Sequence, residues 1–64
     1  MPAASAIKTL IVDDQQTMRS LIRNALGQIG INDVREAPDG EEALRALVAK
    51  PAHLVISDYN MPKL

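Results

Sequence analysis

Apolar residues along this chain switch between two spacings, and the switches mark its elements. Residues 7–12 are almost continuously apolar and rich in β-branched side chains, the pattern of a short strand covered on both faces. From Met18 the apolar positions are Met18, Leu21, Ile22, Ala25, Leu26 and Ile29, at helical spacing, with Arg19, Arg23 and Gln28 off the stripe. Gly30 is placed to end that helix in a left-handed conformation. After the turn signal Asn32-Asp33, residues 34–37 predict a second strand. Pro38-Asp39-Gly40 turns the chain again, and Asp39 and Glu42 have capping-box spacing. Ala43, Leu44, Leu47 and Val48 mark a second amphipathic helix, which Pro51 stops. Residues 54–57 predict a third strand. Residues 1–6 read as a flexible leader and 7–64 as one structural unit.

The order βαβαβ predicts an α/β fold, a parallel sheet with the first strand central. A chain of 64 residues allows one domain at most. At that size folding buries only about 60% of the surface the unfolded chain exposes. The core must come from Leu, Ile, Val, Ala and Met, because there is no Phe or Trp and one Tyr. Cysteine is absent, which excludes a disulfide and a thiolate metal site. Marginal stability as a monomer is the expectation, relieved by self-association or by further chain.

A net charge of -1 with interspersed signs gives no electrostatic reason to bind nucleic acid or an anionic membrane. No apolar run approaches the ~20 residues needed to span a bilayer, and residues 1–6 lack the basic start and apolar middle of a signal peptide. A cytoplasmic location is the default expectation.

The predicted topology gives the acids their meaning. In an open parallel sheet, ligands bind outside the carboxyl ends of the strands. Asp13 and Asp14 follow the first strand, and Asp58 follows the third. Two carboxylates about 4 Å apart repel by roughly 4 kcal/mol at an effective dielectric near 20. A gathering of three such groups therefore calls for a cation or raised pKa values. Magnesium suits the position, since it takes oxygen ligands and keeps waters for phosphate oxygens.

Val12-Asp13-Asp14 after one strand and Asp58-x-x-Met61-Pro62 after another resemble the receiver domain of bacterial two-component response regulators. Thr17-Met18-Arg19, Arg23-Asn24, Glu36-Ala37-x-Asp39-Gly40 and Asp58-Tyr59-Asn60-Met61-Pro62 are most similar to the single-domain chemotaxis receivers, the CheY family. The resemblance covers essentially everything after residue 6 and implies half of a doubly wound, flavodoxin-like sheet; the small apolar payload and the uncovered edge of the third strand, not the resemblance, suggest completion by dimerisation or domain swapping. It implies that Asp58 accepts a phosphoryl group from a kinase phosphohistidine. It further implies that Asp13, Asp14, Asp58 and the backbone carbonyl of Asn60 hold Mg2+, and that Met61-Pro62 shapes the loop behind Asp58. The family's fourth-strand Thr or Ser and fifth-strand Lys have no counterpart in these residues, so phosphotransfer is expected to be impaired.

Other residues invite plainer readings. Asp13 and Asp14 could merely cap the following helix, and Thr17 could do the same. Met18 is expected in the core, and Arg19 and Arg23 on a solvated helix face. His53 reads as a surface residue without a second imidazole. Tyr59 could shield the site, and Lys63 sits in a loop unsuited to replace the missing lysine. An uncovered third strand with Leu54, Val55 and Ile56 invites pairing with a second copy. Three functions stay open: a phosphoacceptor receiver, a self-associating module without phosphotransfer, and a magnesium-dependent phosphohydrolase, for which no convincing general acid or base is present.

Overall fold

The computed structural model describes residues 3–57. A 3-10 turn, Ala4–Ala6, leads into strand β1 (Lys8–Val12), followed by helix α1 (Gln16–Gln28), strand β2 (Asp33–Ala37), helix α2 (Gly40–Ala49) and strand β3 (Leu54–Ser57). The strands form one parallel sheet in the order β2-β1-β3. Lys8 through Val12 pair with Asp33 through Ala37, and Thr9 through Val12 pair with Leu54 through Ser57. The βαβαβ order and the central first strand are as the apolar spacing predicts.

The continuous apolar run of β1 is explained by burial on both faces. Leu10 and Val12 pack with Ala37 and Ala43, joined by Ala46, Leu47 and Ala52, on the side covered by α2. Ile11 packs with Leu26 and Ile31, joined by Ala4, Ile22, Val34 and Ile56, on the side covered by α1. Alternation along one strand thus serves two half-cores, with a helix over each.

Local signals set the ends of the helices. Asp39 caps α2, its side chain accepting from the Glu42 N–H at 2.9 Å, and Glu41 and Glu42 in the first turn complement the helix dipole. At the other end Arg35 reaches from β2 to donate to the Ala46 and Lys50 carbonyls, at 3.1 and 2.7 Å. The Ala46 carbonyl also accepts from the Lys50 N–H, so the arginine adds a cation at the negative end of the helix rather than a missing donor there. Helix α1 closes in a Schellman motif. Gly30 adopts φ 86°, its N–H donates to Gly27 O, and the Ile31 N–H reaches back to Leu26 O. Leu26 and Ile31 also share the core beneath that turn.

Two expectations about the helix faces need correction. Met18 is 40% exposed, and Leu21, Ile29, Leu44 and Val48 are more exposed still. A three-stranded sheet offers each helix a narrow platform, so only the inner edge of each apolar stripe is covered. Arg19 is the opposite case. Its side chain is only 11% exposed, because its Nε meets Glu36 Oε1 at 3.1 Å. Arg23 meets the other oxygen of Glu36 at 2.7 Å and also donates to the Val34 carbonyl. One carboxylate on β2 thereby holds two arginines of α1. These contacts hold the Glu36 carboxyl below its ordinary value of 4.5, chiefly through the Arg23 hydrogen bond; burial opposes this, and the Arg19 hydrogen bond and the charges of both arginines add to it.

Two measurements follow from this packing. Thr9 is fully buried and its hydroxyl has no hydrogen-bond partner among the described residues. Thr9→Val removes that unsatisfied group at nearly constant shape, so we expect stabilisation by about 1 kcal/mol in urea unfolding. A loss of stability would show that the hydroxyl is satisfied. Glu36 gives a pH dependence of known sign. A carboxyl depressed on folding stabilises fully above its unfolded value near 4.5, and that contribution disappears as pH falls through the lower folded value. The chain should therefore lose stability in acid, and Glu36→Gln should flatten the profile below about pH 5. Parallel profiles for the two proteins would contradict the assignment.

Candidate functional site

Parallel pairing brings the carboxyl ends of all the strands to one edge, and β1 delivers Asp13 there. The Asp13 N–H donates to the Ala37 carbonyl at 3.1 Å, which carries the β1–β2 ladder one residue beyond the strand. Its Oδ1 accepts from the Gln15 N–H at 2.9 Å. That Asx-type bond turns the chain out of the sheet and toward α1. Its carbonyl accepts from Arg19 Nη1. Asp13 is therefore held at its amide, its carbonyl and one carboxylate oxygen, and it is 6% exposed. Asp14, the next residue, stands exposed.

The electrostatics of this corner are unbalanced. No arginine, lysine or histidine bridges the carboxylate of Asp13 or Asp14 among the described residues. Arg19 is close, but its guanidinium is spent on a carbonyl, on Glu36 and on Gln16 Oε1, the last at 2.7 Å. A nearly buried carboxylate without a counter-charge is costly unless something from solution compensates it. Asp13 Oδ2 has no protein partner among the described residues, and Asp14 is open beside it. Hard oxygen donors left unpaired at a strand end fit a hydrated divalent cation. Two carboxylates alone do not enclose one, and no group of three or more His, Cys, Asp or Glu gathers among the described residues.

Asp58 and Asn60, the remaining residues assigned to the site, lie outside the described residues, as do Tyr59, Met61, Pro62 and Lys63. Ser57, the residue before Asp58, is the register partner of Val12, the residue before Asp13. The two strands that precede the three acids therefore end level with one another.

Sequence reasoning missed two features. One is the pair of contacts from Arg19 to Asp13 and Glu36; the signal was an arginine one helical turn into α1 facing a glutamate at the end of an adjacent strand. The other is His53, whose side-chain Nδ1 accepts from the Lys8 N–H at 3.0 Å while its backbone N–H donates to the Lys8 carbonyl at 2.8 Å. This side chain extends the β1–β3 pairing at the sheet edge opposite the acids. Thr17 does not cap α1, since the N-cap position is Gln15 and no side chain caps it. No helix among the described residues is long and apolar enough to cross a membrane.

Comparison with known proteins agrees with this geometry. Residues 9–64 match the response regulator receiver domain. The chain is 50% identical over its full 64 residues to a probable chemotaxis protein CheY of Rhizobium etli, covering 50% of that protein. It is 44% identical over 59 residues, 91% of its length, to the chemotaxis protein CheY1 of two Helicobacter pylori strains, covering 48% of each. The chain thus spans about half the length of these relatives. With its acid pair at the end of a central parallel strand and a family match from Thr9 to the last residue, this chain belongs to the response regulator receiver domain family.

Proposed function

We propose that this chain is the phosphoryl-accepting portion of a chemotaxis-type receiver, acting in the cytoplasm on a phosphoryl group supplied by a histidine kinase. The level ends of β1 and β3, with Val12 opposite Ser57, are the observation that carries this reading. They start Asp13 and Asp58 from neighbouring strands at one edge. Asp13, Asp14, Asp58 and the carbonyl of Asn60 would hold Mg2+. When bound, that ion neutralises charge on the phosphoryl oxygens being transferred.

The chain's own residues do the rest. An Asp58 carboxylate oxygen forms the new bond to phosphorus as the phosphorus–nitrogen bond of the phosphohistidine breaks, and the imidazole keeps that electron pair. Asp13 keeps one carboxylate oxygen on the Gln15 N–H and leaves the other without a partner among the described residues. Partial burial of Asp13 limits the water around it and strengthens its pull on a cation. A phosphohydrolase reading has no support from this edge, where Glu36 is paired with Arg19 and Arg23 and Asp39 is spent on capping α2.

A second reading rests on a separate observation. Strand β3 pairs only with β1 in the described sheet, and Leu54 and Val55 are 40% and 43% exposed. An open, largely apolar groove lined by Ala6, Ile7, His53 and Leu54 adjoins the start of that strand. Such an edge can pair with a second copy, making a homodimer or a swapped oligomer in which the half-domain acts as an interaction module.

Incubation with a phosphorylated chemotaxis histidine kinase and Mg2+, followed by intact-mass analysis, tests the first reading. We expect one added phosphoryl group, absent from Asp58→Asn and lost on treatment with hydroxylamine. No adduct, or an adduct that persists in Asp58→Asn, would contradict it. Sedimentation equilibrium tests the second. A dimer at micromolar concentration that dissociates in Val55→Lys supports edge pairing, and a folded monomer throughout excludes it.

A further inference from the structure

The side chain that most controls the acid loop carries no acid. Arg19 lies in the first turn of α1, yet its guanidinium reaches back to the Asp13 carbonyl ahead of the helix, and its side chain is only 11% exposed. Each of its nitrogens is committed. Nη1 donates to the Asp13 carbonyl, Nε to Glu36 Oε1 and Nη2 to Gln16 Oε1. The planar fork of arginine makes these directions rigid relative to one another. Glu36 is itself fixed from its other oxygen by Arg23.

The Asp13 carbonyl belongs to the peptide unit that also bears the Asp14 N–H, and that unit is planar. Holding its oxygen therefore fixes how Asp14 leaves the strand relative to Asp13. Ala37 holds the amide of Asp13, and Gln15 holds one of its carboxylate oxygens. Together these contacts leave the acid pair little freedom to rearrange when a cation arrives. Arg19 makes no contact with either carboxylate in doing so.

We propose that Arg19 is a positioning residue for the divalent-cation site, presetting the Asp13–Asp14 peptide from behind through a support anchored on Glu36. This inference rests on the reading of Asp13 and Asp14 as magnesium ligands and adds a residue that acts through them. It also has an unusual sign. Arg19 is a cation near a cation site, so by charge alone its removal must tighten Mg2+ binding. A positioning role demands the reverse, because loss of the groups that orient metal ligands weakens affinity by roughly 10–100-fold.

The test compares Arg19→Met with Arg23→Met. Both remove one positive charge and one arm of the Glu36 bridge, but only Arg19 reaches Asp13. Mg2+ affinity is read from amide shifts of the labelled chain, and 15N relaxation of the magnesium-free protein gives order parameters for Asp14 and Gln15. Urea unfolding of each variant separates loss of fold from loss of position. We expect Arg19→Met to bind Mg2+ at least about tenfold more weakly, with Asp14 and Gln15 more mobile, while Arg23→Met keeps both at the parent values. Arg19→Lys, which keeps the charge and loses the fork, should also weaken binding. Unchanged or tighter binding by folded Arg19→Met overturns the proposal. If the parent chain itself binds no Mg2+, the metal reading fails. The order parameters then decide the role of Arg19 separately: a drop confined to Arg19→Met upholds positioning, and unchanged values refute it.

Discussion

Everything in this small fold depends on β1 being paired on both sides and covered on both faces. Thr9, Leu10, Ile11 and Val12 are all buried, and two separate half-cores meet across this one strand. A chain with little apolar bulk can stabilise a sheet this way because one strand serves both layers. The same arrangement sets the chemistry. The residue after the last strand position, Asp13, leaves the sheet at its carboxyl edge, and ladder pairing with Ala37 holds it there buried. Structural centrality and functional position are thus one constraint.

Electrostatics at that edge fall into two compartments. Glu36 is fully paired by Arg19 and Arg23 and is correspondingly easy to ionise. Asp13 and Asp14, a few residues away in space through Arg19, have no bridging cation among the described residues. Arg19 and Arg23 bridge the supporting carboxylate, and neither bridges a carboxylate of the acid pair. The proposed cation site would need that division, since a guanidinium on the Asp13 carboxylate would compete with a metal ion. The family match and the relatives of chemotaxis type fit the same picture, with the chain spanning about half of each relative's length.

Much of this was legible in the sequence, for physical reasons that differ by element. The β1 run announced itself because burial on both faces forbids polar alternation. Asp39 and Gly30 announced the ends of helices because few other residues satisfy a helix N-terminus or adopt a positive φ. The burial of Arg19 was not legible, because an arginine off the apolar stripe ordinarily points to water. Its fate was decided by Glu36, which is distant in sequence and adjacent only once β2 pairs with β1. The exposure of Leu44 and Val48 was missed for a related reason, since helical spacing marks an apolar face without telling how wide its support is. Asp13 and Asp14 were legible as a pair. Their inequality, one buried and one exposed, came only from the Asx turn and the ladder bond to Ala37.

The divalent-cation site proposed at the end of β1 rests on the unpaired oxygens of Asp13 and Asp14. Paramagnetic relaxation by Mn2+ tests this most directly, because its broadening of amide signals reports distance from the bound ion. The account predicts broadening centred on Asp13, Asp14 and Gln15, extending to Ala37 across the ladder, sparing His53 and Ala6, and reversed by excess Mg2+. Broadening centred instead on the exposed acids Glu41 and Glu42, or spread evenly over the chain, would contradict it.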